Sequence, residues 1–504
     1  MKQYLDLISL INSDFYSKSQ RLSWHINHLD YNNFNDNLFD FFEKIKFSER
    51  DDIIFQLAKT SIFISISDYL SHVYDYVVLS SKNVQPIYSS SESYLNTIWE
   101  KKKLSTIPLI ERNIKEYKKN FIKKTYQLFT ENIPKNLFKY IVLSRNTMIN
   151  EFLTNKYNYL KLTHPAYLSS HKLEKKIFKN LSQKITRLIC SMLEEEYFNL
   201  EDEQKQSVNL IIESHLTEAY NDLKNYDNFL KNSKNIILGT STGHYTRLIS
   251  TIAKNHNINV WKFDHGGEKC FFNDNFYWNS VFHNTDIFVT YGIKSKKYVE
   301  KKAKVLNKKI QVKSIGSTYL NKIFNSNFEK KCKINKKVLY LSSPFSSERW
   351  GMQSGLITNP LLYDWQKYLI EKLQSLKYEV IYKMHPKGVF QENNNLGQIA
   401  KYLNTKSVIE SLKGSNIVIV DYAGTALVEA LCAGKDVIFI DMKLRKFNKD
   451  NFGDFNSVVK IVPAKQHGGT FYVETENILK ALSSPQKNID KQRKLVKEYY
   501  LESD

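Results

Sequence analysis

The amino-acid sequence predicts an α/β protein in which a long helical region precedes two doubly wound, Rossmann-like units. Three observations support this prediction. The first 230 residues contain no glycine and show helical spacing of apolar residues. From Asn235 onward, short apolar runs alternate with helical stretches, and glycine falls at or near the end of most early runs. Short apolar strands that end in glycine-bearing loops are typical of a parallel sheet covered by helices.

Length and composition limit the class of protein. A chain of 504 residues suggests two to four domains, and 42% hydrophobic with 25% charged residues is ordinary for a soluble globular protein. The start, "MKQYLDLISLINSD", lacks an apolar signal core. Neither a disulfide framework nor a structural zinc site is expected, and a reducing cytoplasm is the expected location, because the cysteines are far apart: Cys190, Cys270, Cys332 and Cys432.

The formal net charge is +21. Such an excess favours an acidic partner, for example nucleic acid, a nucleotide-activated substrate or an anionic membrane surface. However, the lysines are spread along the chain and asparagine is abundant, a composition typical of an AT-rich genome. We therefore expect no nucleic-acid partner and only peripheral contact with an anionic inner membrane. A non-catalytic basic scaffold remains an alternative.

The region 1–230 has apolar residues at three and four spacing in "NFNDNLFDFFEKIKF" and "SVNLIIESHLTEAYNDLKNYDNFL". This spacing predicts amphipathic helices. The segment "YIVLS" predicts an early strand. We expect this region to be mainly helical and to pack partly on the first Rossmann-like unit.

The two units follow in order. Residues 231–330 contain "NIILG", "INVWKFD", "DIFVTYG" and "IQVKSIG", which predict the strands of the first unit. Residues 331–504 contain "VLYLSSP", "YEVIYKMHP", "NIVIVDYAG" and "DVIFID", which predict a second unit with a C-terminal helix. Ligands of such sheets bind outside the carboxyl ends of the strands, so the cleft between the units is the expected substrate site.

Two strand ends of the second unit carry polar residues suited to a phosphate. In "DYAGTALVEALCAG", Gly424 allows close approach of a ligand and Thr425 lies at the start of a helix, where unpaired amides favour an anion. In "MHPKG", His385 follows a strand and can donate a hydrogen bond to a phosphate oxygen. An ordinary capped crossover helix also explains the first motif, and a strand-end histidine is often structural.

The order of these motifs resembles the nucleotide-binding half of GT-B transferases that use cytidine-activated donors. These include bacterial capsule and O-antigen Kdo transferases, HP-motif sialyl- and polysialyltransferases and, more distantly, CDP-glycerol glycerophosphotransferases. The resemblance spans about half of the chain. It implies that His385 and Thr425 bind the cytidine nucleotide and its phosphate. The other residues expected around the donor are Ser342, Ser343, Lys383, Pro386, Lys387, Tyr422, Gly424 and Glu429.

In the first unit, "VWKFDHGGEKCFF" is similar to the acidic Asp-Gly signature of the same transferases. The resemblance implies that Asp264 faces the cleft as a base or, in a retaining reaction, as the nucleophile. His265 and Glu268 are assigned with it to the catalytic group. The sequence departs from the family pattern, since Phe-Asp-His-Gly stands where Glu-Asp-Gly is frequent. A strand-end Asp that caps a turn is the alternative.

A second glycine-bearing loop, "LGTSTGHYTRL", is expected to contact the acceptor or the donor carboxylate. An arginine here suits a planar carboxylate, which accepts two parallel hydrogen bonds from a guanidinium. Helix capping explains the hydroxyl residues equally well. The residues assigned to this contact are Ser241, Thr242, Gly243, His244 and Arg247.

The sequence contains neither a GxxxxGK[ST] phosphate loop nor a GxGxxG fingerprint, and no DxD stands where a metal-dependent GT-A enzyme needs it. We therefore expect no metal and no cofactor other than the donor. The predicted activity is transfer of an acidic keto-sugar, such as Kdo or a nonulosonic acid (sialic, pseudaminic or legionaminic acid), from CMP to a bacterial glycan or lipid-linked glycan acceptor. Transfer of an alcohol phosphate from a CDP-alcohol is the alternative among enzymes.

Overall fold

The computed structural model describes most of the two predicted units and part of the region before them. The described residues are 3–6, 37–80, 84–87, 135–144, 146–154, 158–162, 178–196, 199–240, 243–326, 336–344, 359–385, 396–400, 407–467, 470–484 and 488–502. Near the start, β1 (Gln3–Asp6) and β2 (Val84–Ile87) pair in parallel.

The first lobe is built on a six-stranded parallel sheet with the order β4-β3-β5-β6-β8-β9. Apolar runs buried on both faces are typical of such a sheet, because helices cover both sides. The strands are β3 (Tyr140–Val142), β4 (Tyr159–Lys161), β5 (Asn235–Leu238), β6 (Asn259–Phe263), β8 (Ile287–Thr290) and β9 (Gln311–Ser314).

Two strands of this sheet come from the region 1–230. The strand expected at "YIVLS" is confirmed as β3, and β4 pairs with it in parallel. The helix Thr147–Leu153 connects them, and the side chain of Asn146 caps this helix by accepting a 2.7 Å hydrogen bond from the amide of Ile149. The first sheet therefore starts about 90 residues before the start at 231 that the sequence suggested.

Long helices of the same region cover one face of the sheet. Their buried side chains form one core with the strands, in which Ile211 and Phe55 join Ile236, Ile249 and Val260. The helices on this face are Glu49–Ser80, Lys179–Glu196, Asp202–Tyr226 and His244–Asn255. The opposite face carries Asn275–Phe282, Ile293–Val305 and Thr318–Asn325.

The second lobe is built on a sheet with the order β11-β10-β12-β13-β15-β16, parallel except for the last pair. Its strands are β10 (Lys337–Leu341), β11 (Glu379–Lys383), β12 (Ile417–Val420), β13 (Asp436–Asp441), β15 (Lys460–His467) and β16 (Thr470–Val473). Its helices are Asn359–Ser375, Leu396–Ile399, Val408–Leu412, Thr425–Cys432, Phe452–Val458, Thr475–Ser483 and Ile489–Val496.

A short antiparallel ribbon joins the lobes, formed by β7 (Phe272–Asn273) and β14 (Lys446–Phe447). The rings of Phe272 and Phe447 stack with their centroids 5.1 Å apart. Aromatic contacts of this kind add to apolar burial, so the seam between the lobes has a packed core on this side.

The end of the chain returns from the second lobe to the first. A π-helical turn, Lys497–Leu501, brings the carbonyl of Tyr499 within 2.8 Å of the amide of Gly292. A Cβ on Gly292 would lie 2.5 Å from the carbonyl oxygen of Glu498, so only glycine fits this approach.

These sheets confirm the predicted α/β class with two Rossmann-like lobes and a large helical region. Among the described residues, no helix combines the length and the apolar character needed to cross a membrane.

Candidate active site between the two lobes

Three neighbouring strands of the second lobe end in the residues that the sequence assigned to the nucleotide. Strand β10 lies between β11 and β12, and Leu341 is in register with Lys383 on one side and Val420 on the other. His385 therefore lies two residues beyond this row, and the loop to Thr425 starts one residue beyond it. Neighbouring strands are about 4.8 Å apart, so these loops share one sheet edge. Pro386 and Lys387 lie outside the described residues.

Asp421 organises this edge, a role that sequence reasoning missed. The side chain is 2% exposed, and Oδ1 accepts a 2.7 Å hydrogen bond from the amide of Ser343. Oδ2 accepts hydrogen bonds from the hydroxyl of Tyr340 and the indole N–H of Trp365. Burial raises the pKa of Asp421, and these donors partly oppose the rise. An Asp that ends a buried strand, as in "IVIVD", was the available signal.

Around Thr425, some residues are exposed to solvent, whereas one is already hydrogen-bonded to the first lobe. Thr425 is exposed at the first position of its helix, and the preceding Gly424 has extended backbone. Tyr422 is half-buried, and burial raises its pKa to about 12. Glu429 is 7% exposed and accepts a 2.6 Å hydrogen bond from the hydroxyl of Tyr319 in the first lobe. Glu429 therefore contacts the other lobe in this structure.

The remaining donor candidates lie at the ends of β10 and β11. Ser342 and Lys383 are buried, and the carbonyl of Lys383 accepts a hydrogen bond from the amide of Ser342 at 3.2 Å. Burial lowers the pKa of the Lys383 ammonium. The hydroxyl of Ser343 is buried and has no hydrogen-bond partner among the described residues. His385 is half-buried.

In the first lobe, the expectation that Asp264 faces the cleft is wrong. Its side chain is 1% exposed. Oδ1 accepts hydrogen bonds from the amide of His265 at 2.7 Å and the hydroxyl of Tyr277 at 3.0 Å, and Oδ2 accepts one from Thr290 at 3.1 Å. Burial and the nearby Glu268 raise the pKa of Asp264, against the effect of these donors. A carboxylate enclosed in this way anchors its loop and is not poised as a nucleophile.

The residue after it has the opposite environment, since His265 is exposed. Gly266 and Gly267 follow with φ values of +97° and +80°, a backbone region that favours glycine. A Cβ on Gly266 would lie 2.2 Å from Oε2 of Glu268, so the glutamate side chain folds back across the turn. His265 is the catalytic candidate that the fold leaves accessible.

Arg445, which sequence reasoning also missed, connects the two strand-end loops. Its Nη1 lies 3.6 Å from Oε1 of Glu268 and donates a 3.2 Å hydrogen bond to the carbonyl of Ala423, two residues before Thr425. Its Nη2 lies 3.5 Å from Oδ2 of Asp274. Only a basic run after β13 could have suggested this residue. The loops after β6 and β12 therefore face each other across one seam.

Two residues assigned to the acceptor, His244 and Arg247, are directed into the helical region instead. Ser241 and Thr242 lie outside the described residues, and Gly243 precedes the helix His244–Asn255. The Nε2 atom of His244 is 2.8 Å from Oδ2 of Asp222 on a helix of the 1–230 region.

Arg247 is 2% exposed and donates a 2.8 Å hydrogen bond to the carbonyl of Gln56. Its predicted place in the cleft is wrong, because the guanidinium points into the helical layer.

Together with Glu218, the paired His244 and Asp222 form a group whose ligand atoms lie within 4.8 Å of one another, a spacing compatible with a metal ion.

No family model matches the chain, and no curated protein matches it. Solved structures, in contrast, do match the chain. A UDP-N-acetylglucosamine 2-epimerase from Rickettsia bellii is 13% identical, with a TM-score of 0.38 over 71% of this chain and 92% of that one. MurG from Acinetobacter baumannii is 9% identical, with a TM-score of 0.39 over 72% and 94%.

UGT2 from Phytolacca americana, in complex with UDP-2fluoro-glucose and pterostilbene, is 11% identical, with a TM-score of 0.37 over 71% of this chain and 92% of that one. At TM-scores this low, these similarities do not bear on function.

Proposed function

We propose that the protein is a metal-independent glycosyltransferase that moves an acidic keto-sugar, such as Kdo or a nonulosonic acid, from CMP to a hydroxyl of a bacterial surface glycan or lipid-linked glycan. The bridge by Arg445 is the observation that supports it most directly. This bridge holds the Thr425 loop of the second lobe opposite the His265 loop of the first. A nucleotide on one side and a proton acceptor on the other are the two parts that a transferase needs.

His385 and Thr425 are the proposed contacts of the CMP phosphate. The helix that starts at Thr425 presents the positive end of its dipole and its first amides to the ligand. An imidazole at the end of β11 adds a donor to a phosphate oxygen. These groups offset the charge of the leaving CMP, which is why we propose no metal.

His265 takes the role of general base in this proposal. The acceptor hydroxyl gives its proton to the imidazole while its oxygen forms the bond to the anomeric carbon. The bond between that carbon and the CMP phosphate oxygen breaks, and the electron pair leaves with CMP. This single displacement inverts the anomeric centre. Asp264 is then a positioning residue for His265, since its carboxylate accepts a hydrogen bond from the backbone amide of His265.

A thermal-shift panel of CMP, CDP, UDP, GDP and ADP tests the donor class. We expect CMP to raise the melting temperature most. The His385→Ala variant should weaken CMP binding in calorimetry by about tenfold, the loss expected for one charge-assisted hydrogen bond. His467→Ala, an exposed histidine on β15, is the matched control. Equal affinities of the two variants for CMP would remove His385 from the site.

The His265→Ala variant should lose turnover by about 100-fold or more while CMP binding is retained. Phosphorus NMR of the product separates the competing reaction: a phosphodiester formed from a CDP-alcohol would replace this proposal with alcohol-phosphate transfer. Strongly salt-dependent binding to random DNA, with no effect of CMP on stability, would instead favour a basic scaffold.

A further inference from the structure

A cavity of about 350 Å³ lies in the first lobe between residues 43–59, the helix His244–Asn255 and the segment that precedes β9. None of its lining residues belongs to the second lobe or to the loop after β6. It is therefore separate from the proposed sugar-transfer site. Its volume suits a small molecule of several heavy atoms.

The lining carries more positive than negative groups. Lys46, Lys59, Arg247 and Lys308 supply four cations, whereas Glu43 and Asp52 supply two carboxylates. Glu43 is already paired with Lys59 at 2.6 Å. In the part of the chain that the structure describes, no acidic side chain forms an ion pair with Lys46, Arg247 or Lys308.

Arg247 is the central group of this lining. It is 2% exposed, and burial lowers its pKa to about 10, so it stays charged at neutral pH. One guanidinium nitrogen donates to the carbonyl of Gln56, but the buried Nε has no hydrogen-bond partner among the described residues. A buried cation with unused donors is costly unless an anion lies next to it.

A second buried basic side chain lies close to the cavity. The side chain of Lys262 in β6 is fully buried, and its ammonium donates to the carbonyl of His283, a residue of the cavity wall. Burial and the nearby Arg247 and Lys262 hold the pKa of His283 well below its ordinary value, so this imidazole is neutral and able to donate or accept a hydrogen bond.

From this arrangement we infer that the cavity binds a small phosphorylated compound with two or more negative charges. Arg247 and Lys59 contact its phosphate oxygens from the buried side. The exposed Lys46 and Lys308 contact it at the mouth. Phosphate suits this lining because its oxygens accept several hydrogen bonds from guanidinium and ammonium groups at once.

Isothermal titration with pyrophosphate, in the presence of saturating CMP, tests this inference without use of the transfer reaction. The double variant Lys46→Ala/Lys308→Ala removes the two exposed cations without disturbing the buried layer. The matched control is Lys44→Ala/Lys309→Ala, which removes the same charge from exposed neighbours that do not line the cavity. We expect pyrophosphate to bind the wild type and the control alike, and the cavity variant at least about tenfold more weakly.

Equal affinities of the cavity variant and the control, or no binding of pyrophosphate to the wild type, would overturn the inference. Arg247→Met provides a second measurement: with its fold confirmed by circular dichroism, it should also lose pyrophosphate binding. Sedimentation with vesicles that contain phosphatidic acid distinguishes a lipid headgroup from a free phosphate compound. Vesicle binding that depends on Lys46 and Lys308 assigns the headgroup, and its absence alongside pyrophosphate binding assigns the soluble compound.

Discussion

The loop after β6 in the first lobe and the loop after β12 in the second each follow a central strand of a six-stranded sheet, and they begin in the same way. Each starts with a buried aspartate, Asp264 or Asp421. Its carboxylate accepts hydrogen bonds from a tyrosine hydroxyl and from a backbone amide. The residues that follow differ: His265 is exposed directly after its aspartate, whereas Thr425 becomes exposed only four residues later, at a helix start.

This comparison separates residues that hold a loop from residues that a ligand can reach. A strand-end aspartate looks catalytic in the sequence, yet in both lobes the fold uses it to fix the backbone. The lobes differ in how their edges are covered. The C-terminal turn packs closely against the first lobe and covers its edge. A Cβ on Gly316 would lie 2.4 Å from the carbonyl oxygen of Leu501. The second lobe has its polar helix start exposed.

The largest effect is expected where the two loops meet. Arg445→Met removes the cation that lies against Glu268 and Asp274 and releases the carbonyl of Ala423. Loss of one partner of a buried ion pair costs about 3–5 kcal/mol. Urea unfolding should therefore show a loss near the lower value, because Lys269 also lies close to both carboxylates. If the variant unfolds within about 0.5 kcal/mol of the wild type, the bridge does not stabilise the seam.

The Gly316→Ala variant tests the close contact between the first lobe and the C-terminal turn. Gly316 has φ +61° and faces the backbone of Leu501, so the substitution combines backbone strain with a clash and should cost about 2 kcal/mol. Gly434→Ala is the matched control, because Gly434 has φ +67° but nothing within 4 Å of an added Cβ. It should cost about 1 kcal/mol. Similar losses of unfolding free energy in both variants would mean that the C-terminal turn adapts.

The two aspartates are compared by Asp264→Asn and Asp421→Asn, each expected to cost about 1–2 kcal/mol through weakened hydrogen bonds. Burial raises both pKa values above 3.8. A carboxyl whose pKa is raised on folding stabilises the folded state in acid, and this contribution is lost as pH rises through the folded pKa. The stability advantage of wild type over each variant should therefore shrink as the pH rises above about 4, the ordinary pKa of aspartate. An advantage that grows with pH in chemical unfolding would contradict the raised pKa values.

The smallest effect on stability is expected for Thr425→Ala, because the side chain is exposed and has no hydrogen-bond partner among the described residues. Unfolding free energy should change by less than about 0.5 kcal/mol, whereas CMP affinity should fall by several-fold. Thr475→Ala is the control, since Thr475 is exposed at the first position of another helix of the same lobe. Unchanged CMP affinity in Thr425→Ala, measured by calorimetry, would remove this helix start from the nucleotide site.

The sequence by itself determined the α/β class, the strand β3 and the placement of His385 and Thr425 on one sheet edge. These features depend on local patterns, because apolar runs, glycines and helix starts are set by residues close to one another in the chain. Neighbouring parallel strands then bring their carboxyl ends together.

Only the tertiary structure decided the surroundings of the charged side chains. Asp264 is enclosed by Tyr277 and Thr290, and Arg247 bonds the carbonyl of Gln56, 191 residues away. Arg445 joins loops from both lobes. Whether a charged group faces solvent or a buried partner depends on contacts between segments that are distant in the chain. The local sequence around a strand-end aspartate is therefore the same whether the side chain is catalytic or structural.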